Sequence, residues 1–577
     1  MNRALRRTIA GSAAGALGSA ALVLTLGHPL LSIAFGVGVG IAYALSFGPM
    51  RGAYVDNLMA GAALGMPWWG LINIILIPLS HSRAPQWDVD QMRGQVPALV
   101  GWVVYGSVTG VLVQAFTDLL HEILGPEPPP IDTAALPKKH VVILGGGFAG
   151  MQTALSLEDE FHTNPGVSFS LISETNALLF TPMLAEVAGS NLEPSHISTP
   201  LRSSLHRTQF TRASVASVDL ARRRVILATD PIDMTGSNSA QPDPGETHEI
   251  PYDHLVFALG SVSNYLGMVD LEKYSFDFKS LLDAIRIRNH VIEMFEKADR
   301  ETDPVRRRAL LSFVIAGGGF AGVELAGAVN DFAHGILADY PRLSPEDLSV
   351  TLVHSHDTIL PELSESLGRY ALQRMRERGV IFRLKVRLVD AKPGKVILSD
   401  GEIAAETLVW TAGVAPSPVV KALDLPKNKR GALTVDATLA IPGHDGLWAL
   451  GDCAAVFDAK STKPVPPTAQ FALREAAVLA KNIRAQIEGR PLKPFHFNSL
   501  GSLCVIGHQT ACAELTVPFS RNLSMRFSGL LAWAMWRFIY LAKLPGLEQK
   551  IRVLTDWTVE LFFPPDIVQT IDLKPGQ

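Results

Sequence analysis

The stretch His140-Val-Val-Ile-Leu-Gly-Gly-Gly-Phe-Ala-Gly150 decides the fold. A β-branched apolar run enters a glycine cluster in which Gly145, Gly147 and Gly150 match G-x-G-x-x-G, and a helical pattern with small Ala149 and Ala154 follows. Strand, tight turn and helix start are expected in succession. Glycine permits the turn, the close approach of backbone to a pyrophosphate, and tight packing of helix on strand, while the helix N-terminus adds amide donors and dipole. The construction recurs 172 positions later as Leu311-Ser-Phe-Val-Ile-Ala-Gly-Gly-Gly-Phe-Ala-Gly322, with Gly317, Gly319 and Gly322 in the three places and Glu324 just beyond. Two such units predict an α/β chain with two Rossmann-like dinucleotide-binding domains.

A third signal is Gly446-Leu-Trp-Ala-Leu-Gly-Asp-Cys453, a short strand ending in Gly451-Asp452. With these three motifs in this order the chain resembles the two-dinucleotide-binding-domain flavoproteins. Within them it is most similar to the type II NADH dehydrogenases, single-polypeptide, non-pumping NADH:quinone oxidoreductases, over about residues 138 to 565. Leu179-Phe-Thr-Pro-Met-Leu-Ala-Glu-Val-Ala188, Tyr252-Asp-His-Leu-Val-Phe-Ala-Leu-Gly260, Ala321-Gly-Val-Glu-Leu-Ala-Gly327, Trp410-Thr-Ala-Gly-Val414 and Pro466-Pro-Thr-Ala-Gln470 carry the resemblance. It implies non-covalent FAD at the first glycine turn, NADH or NADPH at the second, and Asp452 on the FAD ribityl chain. By the same resemblance Thr181, Pro182, Ala469 and Gln470 line the flavin ring and Gly260 and Gly413 belong to the cofactor sites. Glu324 would sit near the nicotinamide, so that Glu324 and Gln470 are the residues nearest the chemistry. Read without the resemblance, Glu324 is a surface acid in a first helical turn, where the dipole favours it.

Three departures qualify the carry-over. After the second strand of the first unit stands Ser173-Glu174, so the ribose-binding acid is Glu174, displaced by one position from the family's place. The second unit has Val350-Thr-Leu-Val-His354-Ser-His356 there, with no acid for a ribose hydroxyl. A neutral or cationic His354 beside a serine suits a 2′-phosphate and brings NADPH into view; the plainer reading is a strand-end residue. Where relatives have paired glutamines, this chain has Ala469-Gln-Phe-Ala-Leu-Arg474-Glu475, which opens the identity or pose of the acceptor.

Composition excludes several other classes. In 577 residues, 51 basic and 55 acidic side chains give a net charge of −4, with no basic footprint for nucleic acid. The three cysteines, Cys453, Cys504 and Cys512, form no CxxC pair, so a disulfide framework, a zinc ribbon and an iron–sulfur cluster fall away; no metal site is expected. Disulfide reductases and sulfide:quinone reductases need cysteines ahead of the final Gly-Asp, and this chain has none before Cys453. Cys453 itself reads as a small buried residue.

Hydrophobic residues are 47%, charged residues 18% and mean hydropathy is +0.21, which points to lipid. Thr8 to Met50 carries no Asp, Glu, Lys or Arg and breaks at Gly27-His28-Pro29; Leu58 to Leu79 and Val96 to Thr117 are also uncharged. Four transmembrane helices follow. A basic start at Arg3, Arg6 and Arg7, with Arg51, Lys138 and Lys139, places the catalytic part in the cytoplasm of a multi-pass cell-membrane protein. Gly11/Gly15, Gly36/Gly40, Gly61/Gly65 and Gly106/Gly110 are G-x-x-x-G pairs that let helices approach closely. With no charged residue inside a span, proton pumping is not expected.

Gly125-Pro-Glu-Pro-Pro-Pro130 is a stiff linker. The expected plan is 1–124 membrane helices, 125–138 linker, 139–309 and 431–500 FAD domain, 310–430 NAD(P)H domain and 501–577 a membrane-associated end. In that end, Leu547, Ile551, Leu554, Trp557 and Leu561 share a helical face beside basic residues, as in helices lying in the bilayer interface; a dimer face or core helix is the competing reading. The expected partners are lipid and quinone, a second copy by family analogy, and a membrane partner for the N-terminal bundle. Two other functions remain open at this point: a flavoprotein reductase with a non-quinone acceptor, and a membrane redox sensor that keeps its flavin site.

Overall fold

The computed structural model describes residues 3–26, 29–47, 54–80, 94, 96–124, 138–228, 248–460, 464–497, 499–516 and 524–569. The chain divides into two compact units. The first contains residues 1–129, 503–513 and 526–562; the second contains 130–502, 514–525 and 563–577. The proline-rich stretch 125–130 and the loop residues Arg51, Arg83 and Arg93 lie outside the described residues.

In the first unit the four apolar segments are helical: Arg3–Leu26, Pro29–Phe47, a segment beginning with Tyr54–Trp69, and Val96–Leu124. The third continues through a π-helical stretch, Gly70–Leu76, just after Pro67, whose missing N–H and ring disturb the hydrogen-bond ladder. Tyr54–Leu79 and Pro97–Leu120 are long and apolar enough to cross a membrane. The apolar parts of the first two helices, Thr8–Val23 and Ser32–Leu45, are shorter; sixteen residues rise about 24 Å against a hydrocarbon layer of about 30 Å. By length, therefore, two of the four expected spans stand.

The glycine pairs do meet. A Cβ on Gly15 would stand 2.1 Å from the Gly36 carbonyl oxygen, and one on Gly61 would stand 2.0 Å from that of Gly106. Backbone touches backbone at both crossings, which only glycine allows. Polar side chains then fix the register. Tyr43 donates to Asn57 Oδ1 (2.7 Å), Asn57 to Gln114 (2.9 Å), and Gln114 and Tyr54 to the two oxygens of Asp118 (2.9 and 2.8 Å). The buried part of this network, Tyr43, Asn57 and Gln114, selects one packing over its neighbours.

The C-terminal helices Gly529–Lys543 and Leu547–Glu560 belong to the same unit. Leu531 lies 3.5 Å from the position of a Cβ on Gly70, and Lys550 pairs with Asp56 at 3.1 Å. Arg537 lies over the rings of Trp533 and Trp557 (4.0 and 4.7 Å) and bonds Glu560. The buried residues of the last helix are Gln549, Lys550, Val553 and Trp557. Ile551, Leu554 and Leu561, from the apolar face marked by the sequence, are exposed. Of that face only Trp557 is buried and Leu547 half-buried.

The second unit is built on two parallel five-stranded sheets. In the first the strand order is Leu447–Ala449, His254–Phe257, Lys139–Leu144, Val167–Ser173, Thr208–Arg212. In the second it is Phe276–Asp277, Thr407–Trp410, Ser312–Ala316, Ser349–His354, Ile381–Leu384. Each central strand is apolar because a parallel sheet is covered on both faces; all five residues of Ser312–Ala316 are buried. Each leads into a glycine turn and a helix, Phe148–Glu160 and Phe320–Ile336 respectively. Sites at the carboxyl ends of such strands are where ligands bind in this architecture.

Candidate functional site

The first glycine turn is dictated by contacts that no other residue could make. Gly145 has φ +106°, and a Cβ there would lie 2.2 Å from the Ala258 carbonyl oxygen; one on Gly150 would lie 1.8 Å from that of Gly145. Gly147 differs. It caps the helix Phe148–Glu160 without a side-chain bond, and a Cβ on it would meet nothing within 4 Å. The turn thus keeps open space in front of first-turn amides, the cradle that a dinucleotide pyrophosphate requires.

Asp452 comes to the same place. A Cβ on Gly451 would sit 3.2 Å from Ala149 Cβ and 3.9 Å from Ala472 Cβ, so the Gly451-Asp452 turn lies between the first glycine-turn helix and the helix Ala469–Ile487. Ala469 and Gln470 open that helix. Gln470 Nε2 donates to the Gly501 carbonyl oxygen (3.1 Å), and Leu500 N–H donates to Gln470 Oε1 (2.8 Å). Thr181 and Pro182 begin a short 3-10 turn just after the small strand Ala177–Leu179, which follows the second strand of the sheet, Val167–Ser173. Glu174 is exposed one position past the strand Val167–Ser173, and Gly260, with φ +63°, stands three residues beyond the strand His254–Phe257. These residues gather at the carboxyl edge of the first sheet.

The second turn repeats the plan. Gly317 has φ +131°, a Cβ on Gly322 would lie 2.0 Å from the Gly317 carbonyl oxygen, and Gly319 caps its helix with no side-chain bond. Gly413, at φ +125°, and Asn264 are joined through Asn264 N–H to the Gly413 carbonyl oxygen (3.2 Å). Glu324 is half-buried one turn into the helix. His354 is turned toward the glycine turn, its Nδ1 accepting the Gly318 N–H at 3.1 Å. Burial, with His356 beside it, lowers its pKa.

Residues 139–476 match the family model "Pyridine nucleotide-disulphide oxidoreductase" and residues 499–565 the model "NDH2 C-terminal domain". A type II NADH:quinone oxidoreductase of Mycobacterium tuberculosis is 30% identical over 443 residues, 74% of this chain and 89% of that protein. The chain belongs to the type II NADH:quinone oxidoreductases. One of Haemophilus influenzae is 31% identical over 404 residues, 67% of this chain and 88% of its own. Among solved structures, NDH2 from Plasmodium falciparum in complex with NADH superposes with TM-score 0.66 at 17% identity, covering 75% of this chain and all of that one, a likeness of fold. As a member of this family the chain is an NADH dehydrogenase (quinone) that uses FAD and NADH. Residues 1–138 lie outside both family models.

For a type II NADH:quinone oxidoreductase the fit to FAD is good at the open Gly147 and at Asp452. The Asp452 carboxylate accepts Ser261 Oγ–H (2.8 Å), and Lys279 Nζ donates to the same Ser261 oxygen (2.8 Å). Burial raises the Asp452 pKa and lowers that of Lys279, and each is partly restored by the other's charge. Neither Ser261 nor Lys279 was legible beforehand, although Ser280 and Asp283, which box-cap the next helix, fix where Lys279 emerges.

The altered acceptor motif also has a structural account. Glu475 points inward and is 2% exposed, its Oε2 accepting Gly451 N–H at 2.8 Å. Arg474 lies over the Phe497 ring at 5.3 Å. Cys453 is fully buried, burial pushes its thiol up to about 12, and it behaves as packing.

Proposed function

We propose that this NADH:quinone oxidoreductase is an integral, multi-pass membrane enzyme that transfers electrons without pumping protons. The observation that carries the reading is the outer face of the helix Val96–Leu124, where Val100, Val104 and Val108 are exposed at a spacing of four. A helix whose inner face is glycine and amide and whose outer face is apolar is arranged for lipid. Asp56 stands in the first turn of its helix and Asp118 near the C-terminal end of the span Pro97–Leu120, engaged by Lys550 and by Tyr54 and Gln114 respectively. The amide groups of Asn57 and Gln114 do not titrate, which supports electron transfer without a proton path through the bundle.

Bound FAD supplies hydride acceptance from NADH and two-electron delivery to quinone. The chain supplies orientation. Gly147 leaves open space at its helix N-terminus for the FAD pyrophosphate, and Gly319 opens the corresponding helix of the second turn with the Glu362 carboxylate beside it. Asp452 would receive a ribityl hydroxyl, Glu324 would stand beside the nicotinamide, and Gln470 would shape the quinone side. Thr181, Pro182, Gly260 and Gly413 complete the walls and Glu174 holds the FAD ribose. Arg474 and Glu475 are occupied with Phe497 and Gly451, which removes the reason to look for a non-quinone acceptor. The cytoplasmic side for the second unit follows from Arg3, Arg6, Arg7, Lys138 and Lys139. A homodimer is the family expectation.

Reconstitution into sealed vesicles tests the membrane claims. NADH added outside should oxidise lipid-soluble quinone at a rate that an uncoupler leaves unchanged, and alkaline carbonate should not extract the protein. Acidification or alkalinisation of the lumen during turnover would reject the non-pumping reading.

A further inference from the structure

We infer that Glu362 is the residue with which this chain selects NADH over its 2′-phosphorylated analogue. The inference rests on the second glycine turn being the NADH site. In such a site the pyrophosphate lies on the amides of the helix N-terminus, and the adenosine ribose lies toward the end of the adjoining strand. That strand, Ser349–His354, ends in a histidine where selection by an acid would be expected.

His354 is committed elsewhere. Its Nδ1 takes the Gly318 N–H, so that nitrogen carries no proton and the ring is neutral. The other ring nitrogen, Nε2, is sealed from solvent without a protein partner, and a Cβ on Gly318 would fall 2.6 Å from the ring. His354 is a wedge beneath the turn, with neither a carboxylate for ribose hydroxyls nor a charge for a 2′-phosphate.

The loop that follows supplies the acid instead. Leu360, at φ +55°, donates its N–H to the Gly318 carbonyl oxygen at 2.8 Å and so pins the loop to the turn. Two residues later Glu362 Oε1 stands 3.3 Å from the position of a Cβ on Gly319. A carboxylate there accepts hydrogen bonds from vicinal hydroxyls and repels a phosphate on the same ribose. Lys385, the cation next to His356 in this loop cluster, is paired with Asp357 at 3.8 Å, which offsets its pull on a 2′-phosphate.

The test uses the FAD-loaded enzyme with Glu362→Gln and Glu362→Asp. Binding of NAD+ and NADP+ is measured by titration, and anaerobic flavin reduction by NADH and NADPH by stopped flow. The expected result is that Glu362→Gln raises the NADPH-to-NADH ratio at least tenfold in both readouts, with FAD content unchanged, while Glu362→Asp keeps the parent preference. An equal change for both nucleotides would mean that the carboxylate acts only on the shared pyrophosphate, and would overturn the inference. Flavin that neither nucleotide reduces in the parent enzyme would overturn the reading of the second turn itself, and the inference with it.

Discussion

Lys550 and Asp56, 494 positions apart, form an ion pair at 3.1 Å between the last helix and the start of the third N-terminal helix. The side chain of Lys550 is 5% exposed and that of Asp56 is 46% exposed, so the cation is the partner that depends on the pair. The N-terminal helices, which lie outside both family models, are thereby built onto the C-terminal helices.

Removal of Asp56 should therefore cost more than removal of Lys550. A buried charge left unpaired costs about 3 kcal/mol or more, reduced here to about 1–2 kcal/mol by the exposure of Asp56. Asp56→Asn is expected to lower the detergent-solubilised melting temperature more than Lys550→Met does. The double variant should show a coupling of about 1 kcal/mol; strict additivity would contradict a functional pair.

The two glycines of the first turn should fail in different ways. Gly150→Ala places a Cβ 1.8 Å from a backbone oxygen, and no folded FAD domain is expected. Gly147→Ala meets no protein atom within 4 Å at φ −73°, so the protein should fold while its FAD affinity falls at least tenfold, about 1.4 kcal/mol. An FAD dissociation constant unchanged in Gly147→Ala would refute the site.

Glu475 gives the fold a pH dependence of known sign. Burial is the main cause, with Asp452 adding to it, that raises its pKa from 4.5 to about 7, against the lowering effect of the Gly451 N–H. The folded state therefore holds a proton that the unfolded chain has released between these values. The stability contributed is complete below about pH 4.5 and is lost as pH rises through about 7. Glu475→Gln keeps an acceptor for Gly451 and loses the titration. Its melting temperature relative to the parent should climb from pH 5 to pH 8, bounded by about 3 kcal/mol, and a pH-independent difference would contradict the assignment.

Gln470 ties the start of the helix Ala469–Ile487 to residues 500 and 501 through two backbone bonds. Gln470→Ala should raise the quinone KM about tenfold while anaerobic flavin reduction by NADH keeps its rate. An unchanged quinone KM would remove Gln470 from the acceptor side.

Much of the fold is legible because it is enforced locally. The two glycine turns follow from backbone space that only glycine supplies, and the helix pairs follow from Gly15 facing Gly36 and Gly61 facing Gly106. Periodicity was a poorer guide in the last helix. It locates an apolar face but not all that a neighbour covers: the covered residues are Gln549, Lys550, Val553 and Trp557, so of the marked face Trp557 is buried while Ile551 and Leu554 stay exposed. Lys279 and Glu362 are not legible as site residues, and Glu475 is legible only as part of the altered acceptor motif, for a related reason. Each reaches its position through a distant segment: Lys279 through Ser261, Glu475 through Gly451, and Glu362 through the Leu360–Gly318 bond.

The central claim is that electrons pass from NADH through this chain's flavin to quinone. The most direct measurement is anaerobic absorbance of the purified enzyme, first with one equivalent of NADH and then with a short-chain quinone. The account predicts rapid bleaching of the flavin band by NADH and its rapid return on addition of quinone. A band that NADH bleaches and quinone does not restore would contradict it.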